Sequence, residues 1–306
     1  MYIPQFFRRF LALTLALSLP ISCQRLRAPD DNAFQGNESI SSEPTGSEQE
    51  TQIATPPSFP PEQSAPEPSA SPPKEQINGA FWDVTDVDVS YIDPNKKLLS
   101  FTFDDAPGKT LENLLGVFAS YNQSSPSCKA TATLFCNGIR ITPSSKQLLS
   151  AAYTLGFELG NHSQTHTDLT VLSISDLKWE TDATDALLYK IDGKARHLFR
   201  APFGKLNETV RSYAHTPIID WTIDTLDWTG VSEEEIYRRV WEQKFDGGIV
   251  LMHDGYPNTV QAVKRLLPDL RQAGYQVVCV SAMAKAHECP LRRGGVYIRA
   301  RKNGVA

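Results

Sequence analysis

The 306 residues suffice for one large domain or two ordinary ones, and 41% of them are hydrophobic against 21% charged, with a formal net charge of −5. This balance excludes a nucleic-acid binder, which needs a clustered positive excess to meet phosphate. A polytopic membrane protein is excluded as well, because it needs several apolar runs of about 20 residues.

Arg8 and Arg9 precede an apolar run over residues 10–22 that is too short to span a bilayer. A charged start, a short apolar middle and a small residue before a break describe an export signal over residues 1–23. The break, Ser22-Cys23, resembles a bacterial lipoprotein cleavage site, at which the cysteine is lipidated and becomes the new N-terminus. Leu19 stands one place upstream of the usual pattern, with Pro20 in its position. The chain is thus expected to be exported, and either held at the membrane of the cell envelope by a lipid anchor on Cys23 or, without lipidation, secreted.

Residues 24–76 hold ten of the 21 prolines and three Lys/Arg against nine Asp/Glu, with few large apolar side chains. Such a stretch cannot offset its own chain entropy, so a disordered, partly polyproline-like tether is predicted. Residues 77–306 carry 25 Lys/Arg and 26 Asp/Glu. They are expected to form one near-neutral globular domain, a monomer, with a core that needs no disulfide staples. Cys128 and Cys136 flank one strand-like run, and eight residues at about 3.3 Å each separate them too far for a local bridge. No CxxC spacing exists, which leaves buried free thiols or longer-range pairings for Cys128, Cys136, Cys279 and Cys289.

Short apolar runs at 98–103, 130–136, 157–159, 197–199, 217–223, 249–252 and 276–280 read as strands, with helical stretches between them. Ser173-x-x-Asp176 and Ser232-x-x-Glu235 read as capping boxes. The last long helix puts Val260, Val263, Leu266, Leu267 and Leu270 on one face and stops at Gly274; Pro268 kinks it or marks its start. About seven β/α units without a tandem repeat predict an α/β fold, a parallel sheet covered by helices, open or closed into a barrel. In both arrangements the chemistry belongs at the C-terminal ends of the strands.

Polar residues gather there. The first strand ends in Asp104-Asp105, two carboxylates that repel unless a cation lies beside them. Alone, the pair reads as a turn or cap before Pro107. The third runs into His162-Ser163-Gln164-Thr165-His166, and four-residue spacing in a helical turn brings two imidazoles to one side. With one carboxylate they make a two-histidine, one-carboxylate set with open coordination positions, the catalytic form of a metal site. Arg200, Asp224, Asp227 and His253-Asp254 follow three further strands. One such residue is usually a cap or a salt bridge, but five clusters at five strand ends are not a coincidence of caps.

In order, TFDD at 102–105, HSQTH at 162–166, RAPF at 200–203, DTLDW at 224–228 and LMH at 251–253 resemble the five motifs of carbohydrate esterase family 4, the NodB-like polysaccharide deacetylases. The resemblance covers residues 77–286 and implies a distorted (β/α) barrel with about seven parallel strands. It implies Asp105, His162 and His166 as ligands of Zn2+, or of another divalent ion such as Co2+. It implies Asp104 as general base, Arg200 as its partner, His253 as general acid and Asp227 as the residue that orients and tunes it. Phe203 would lend a backbone N–H to the oxyanion, and Trp228 and Leu251 would line the groove that takes the acetyl methyl. Ala106 stands where the family usually has Gly, and Phe203 where Tyr is common. The expected activity is a metal-dependent N-deacetylase of polysaccharides containing N-acetylglucosamine, peptidoglycan first. Chitooligosaccharides, an exopolysaccharide, a non-sugar amide or O-acetyl ester, and a non-catalytic glycan-binding lipoprotein are the alternatives. His197, His215 and His287 fit no motif and read as core or surface histidines; Trp179, Trp221 and Trp241 read as packing.

Overall fold

In a computed structural model, which describes residues 81–301, strand β1 (Lys97–Ala106) shows the period-two logic that builds the site. Leu99, Phe101 and Phe103 enter the large apolar cluster, while Ser100, Thr102 and Asp104 alternate with them and are buried too. A strand covered on both faces needs partners for its polar side, and Thr102 Oγ1 donates to the Val250 carbonyl at 2.6 Å. The expected export signal with Cys23 and the tether over residues 24–76 lie outside the described residues.

The remaining elements are α1 (Leu111–Ser124), β2 (Thr133–Cys136), α2 (Pro143–Thr154), β3 (Glu158–Asn161), α3 (Ile174–Asp192), α4 (Glu208–Tyr213), β4 (Ile218–Ile219), β5 (Ile223–Asp224), α5 (Glu233–Gln243), β6 (Gly248–His253), α6 (Pro257–Gln272), β7 (Tyr275–Val277), α7 (Val280–Ala286) and β8 (Val296–Tyr297). The main sheet runs β3-β2-β1-β6-β5, with β7 beside the start of β1, and β4 pairs β8; every one of these ladders is parallel. Single parallel bridges, Asn161 to Phe199 and Phe199 to Ile218, carry the order from β3 to β4. The expected α/β fold with parallel strands is found; among the described residues ladders and bridges run from β5 round to β4, and none joins β4 to β5, so the distorted barrel is not closed.

Several strands differ from their apolar runs; the run at 130–136 keeps only Thr133–Cys136. The run at 197–199 keeps one bridged residue, and the run at 217–223 breaks into β4 and β5. Beside the break, Arg200 Nε and Nη2 donate to the Ile219 and Asp220 carbonyls at 2.8 and 3.1 Å. Residues 276–280 also shorten, because Val280 already opens α7.

The helix signals hold at their starts: Ser173 accepts from the Asp176 N–H and Ser232 from the Glu235 N–H. α6 begins at Pro257, so Pro268 lies inside it and does not mark its start; the five expected apolar residues are all buried. The four cysteines are buried free thiols. Trp221 and Trp241 pack against core clusters, but Trp179 is 54% exposed. The helical period puts it opposite the buried stripe of Leu177, Thr181, Thr184 and Leu188. Among the described residues no helix is long and apolar enough to cross a membrane.

Two close fits can be tested. A Cβ at Gly160 of β3 would lie 2.6 Å from the Phe135 ring. Gly160→Ala is expected to cost about 1–3 kcal/mol in urea unfolding, as overpacking does; an unchanged midpoint would refute the tight contact. His197 is buried between Asp185 and Asp192, at 2.8 and 3.2 Å. Burial would lower its pKa, but the two carboxylates raise it to about 9. The folded value exceeds the unfolded 6.5, so this stabilisation is full below about pH 6.5 and is lost as pH rises through 9. Unfolding free energy should fall by up to about 3 kcal/mol over that interval, and the fall should flatten in His197→Gln. A flat wild-type profile would show that the imidazole is not held as a cation.

Candidate active site

Parallel register places the Cα of Asp104 opposite that of His253, so β1 and β6 end side by side with a carboxylate next to an imidazole. Asp104 is 4% exposed and its Oδ1 accepts from Arg200 Nη1 at 2.7 Å. Burial would raise its pKa, but the Arg200 guanidinium, with His162 and His253, holds the carboxyl below the ordinary value. Arg200 is wholly buried and also donates to Thr102 Oγ1 at 2.7 Å, and its guanidinium lies 4.2 Å from the Phe135 ring centre.

Asp105 turns the other way because its backbone is left-handed, φ 62°. Its carboxylate Oδ1 is buried without a hydrogen bond, 3.6 Å from His166 Nε2, and its Oδ2 lies 3.9 Å from Arg140 Nη2. His162 Nδ1 meets the Arg200 carbonyl at 2.8 Å. A carbonyl only accepts, so Nδ1 carries the proton and Nε2 keeps its lone pair for the site. Burial lowers the His162 pKa, which favours the neutral ring. Ligand atoms of Asp105, His162 and His166 all lie within 4.8 Å of one another. The two imidazoles are not set there by a helical turn: residues 162–166 form a loop in which Ser163 and His166 have φ 67° and 60°.

On the other side, His253 Nδ1 meets Asp227 Oδ1 at 2.8 Å, and the His253 N–H donates to Asp227 Oδ2 at 2.8 Å. Asp227 is 1% exposed and also accepts from Thr259 Oγ1 and the Trp228 N–H. Burial would lower the His253 pKa, but the hydrogen bond to Asp227 and the charges of Asp104, Asp227 and Asp105 raise it.

The rim is apolar and aromatic. Phe203 is 61% exposed, with φ 61°, and its ring centre stands 4.6 Å from that of His166. Trp228 is also exposed. Leu251, two residues before His253 and so on the same face of β6, is buried beneath the site and forms no part of the rim.

Sequence reasoning missed the residues that hold these groups. Asn137 Nδ2 donates to the His162 carbonyl at 2.8 Å, and Asn161 Oδ1 accepts from the Ser163 N–H at 2.9 Å. Asp254, legible in the sequence only as a polar residue at a strand end, accepts from Thr110 Oγ1 and the Gly108 N–H, tying the turn after β6 to the turn after β1. An Asn at the end of an apolar strand is the one signal that could have marked Asn137 and Asn161.

The family model described as "Polysaccharide deacetylase" matches residues 91–216. A peptidoglycan-N-acetylmuramic acid deacetylase, PdaC of Bacillus subtilis, is 33% identical over 193 residues, 63% of this chain but 40% of that protein. The chain therefore spans well under half the length of that relative. A peptidoglycan-N-acetylglucosamine deacetylase of Bacillus cereus is 33% identical over 201 residues, 62% of this chain and 90% of that protein. A solved structure, T48 deacetylase with substrate, superposes with a TM-score of 0.62 at 26% identity, covering 67% of this chain and 99% of that one. A matching family model, a superposable solved fold and 33% identity over 201 residues that span 90% of a deacetylase leave one conclusion: the chain belongs to the polysaccharide deacetylase family, carbohydrate esterase family 4.

Proposed function

We propose that the protein is a metal-dependent N-deacetylase that removes acetyl groups from N-acetylglucosamine residues of a polysaccharide, peptidoglycan first. The observation that carries this reading is the register pair Asp104 and His253, an ionised carboxylate and a carboxylate-backed imidazole on neighbouring strand ends beside three convergent ligand atoms. A protein that only binds glycans has no use for both a base and an acid.

The triad fits a divalent ion. Asp105 Oδ1 is buried with no hydrogen-bond partner, and His162 presents a lone pair fixed by its Nδ1 contact. Asp105, His162 and His166 would hold Zn2+, or Co2+ in its place, which supplies a Lewis acid for the acetyl carbonyl and lowers the pKa of water towards about 7.

Asp104 takes the proton of the attacking water. Arg200 occupies its Oδ1 and keeps it ionised, and Oδ2 remains for the transfer. His253 gives a proton to the departing sugar amine, and Asp227 holds the ring in the orientation that leaves Nε2 as donor. Two titrating groups pushed in opposite directions run both transfers in one site. Phe203 would place a backbone N–H at the oxyanion. Trp228 would flank the acetyl methyl and Leu251 would close its pocket from below. An export signal, with a lipid on Cys23 or without it, would deliver the domain to the cell wall, which supports peptidoglycan as substrate.

The full chain is expected to release acetate from peptidoglycan or N-acetylglucosamine oligomers, to stop on chelation, and to resume with Zn2+ or Co2+. Release unaffected by exhaustive chelation would contradict the triad's role. Asp104→Asn should lower kcat/KM by about 10²–10⁴ with metal content unchanged; near-normal turnover would remove Asp104 as base. The pH profile of kcat/KM should fall on its basic side as His253 loses its proton. Asp227→Asn removes the group that raises the His253 pKa, so this limb should move to lower pH. An unmoved limb would assign it to another group.

A further inference from the structure

The loop that carries His162 and His166 is held from below by one buried face of α3. Glu180 accepts from both the N–H and the hydroxyl of Thr165, Thr184 Oγ1 donates to Gln164 Oε1 at 3.1 Å, and Asp185 Oδ1 accepts from Asn161 Nδ2 at 3.0 Å. Glu180, Thr184 and Asp185 are each at most 4% exposed. Glu180 and Thr184 stand one turn apart and Asp185 follows Thr184, so the buried side of α3 reaches β3 and the loop at three points.

The Asp185 contact bears on the ligands themselves. Asn161 Nδ2 donates to Asp185 and to the Thr181 carbonyl, two groups that only accept. The amide cannot flip without facing its oxygen to both, so its Oδ1 stays on the Ser163 N–H. That bond holds Ser163 left-handed, a conformation that costs a non-glycine residue about 1–2 kcal/mol. Ser163 Oγ in turn accepts from the His166 N–H at 3.1 Å. Asp185 is kept as an acceptor by His197, which sits between it and Asp192, and by Arg196 at 3.2 Å.

We propose that Asp185 is a positioning residue for the metal-ligand loop: through Asn161 and the left-handed turn at Ser163 it sets His166 beside His162. The proposal rests on the reading of Asp105, His162 and His166 as ligands, and its test separates the two. The full chain is titrated with Co2+ alone and followed by visible absorption. Asp185→Asn is expected to weaken Co2+ binding by about 10- to 100-fold. Asn161→Ala, which breaks the same path without leaving the His197 charge unpaired, should do likewise. The double variant should lose no more than the worse single one, because residues on one path are not additive.

Glu158→Gln supplies the control. Glu158 accepts from Thr133 Oγ1 at the opposite end of the strands, so this variant should lower thermal stability and leave Co2+ affinity within about twofold of wild type. If Asp185→Asn and Asn161→Ala bind Co2+ as wild type does, or if Glu158→Gln weakens binding as much as they do, the positioning role is overturned. If the wild-type chain takes up no Co2+, the ligand reading fails and this proposal falls with it.

Discussion

A guanidinium removed from water must find an acceptor for its donors or the fold does not form. Arg200 meets that demand across the interior of the barrel, bonding Asp104, Thr102 and the Ile219 and Asp220 carbonyls while Phe135 covers its face. Its side chain thus ties β1 to β4, and its own carbonyl fixes the His162 ring. The same residue bonds backbone in the 217–223 run, orients the His162 ring and holds a carboxylate ionised. Removing Arg200 itself would break all four bonds at once, so stability and site geometry are coupled here.

The site also separates groups of one type by environment. Asp104 and Asp105 are adjacent in sequence, yet the left-handed backbone at Asp105 sends one towards Arg200 and the other towards His166. His162 and His253 diverge in the same way: burial with a carbonyl partner favours a neutral ring, and a carboxylate partner favours a charged one. His197 is the third case, a histidine between two carboxylates that lies outside the reacting groups and beneath the loop that carries two of them.

Much of this was legible in the sequence because β strands of a parallel sheet announce themselves as apolar runs, and their C-terminal ends collect the polar residues. Asp104, His162, Arg200, Asp227 and His253 stand where that rule put them. What hydrophobicity could not show is where tertiary hydrogen bonds override it. The run at 197–199 is one bridged residue, and the adjacent arginine bonds the Ile219 carbonyl across from it. The HxxxH pair suggested a helical turn, but left-handed residues at Ser163 and His166 bring the rings together instead. Trp179 read as packing because it lies in an amphipathic run, and it is outward by phase. Asp185 was invisible, and Asn161 was marked only by its place at a strand end, since the two bond each other 24 residues apart.

The central claim is the division between the two aspartates, one holding a cation and one free to take a proton. A crystal structure of the full chain grown with Zn2+ and phased on its anomalous signal tests it most directly. The expected result is one strong peak at about 2.0–2.2 Å from Asp105, His162 and His166, with Asp104 bonded to Arg200 and off the ion. A peak ligated by Asp104 in place of Asp105, or one that lies away from both histidines, would contradict it.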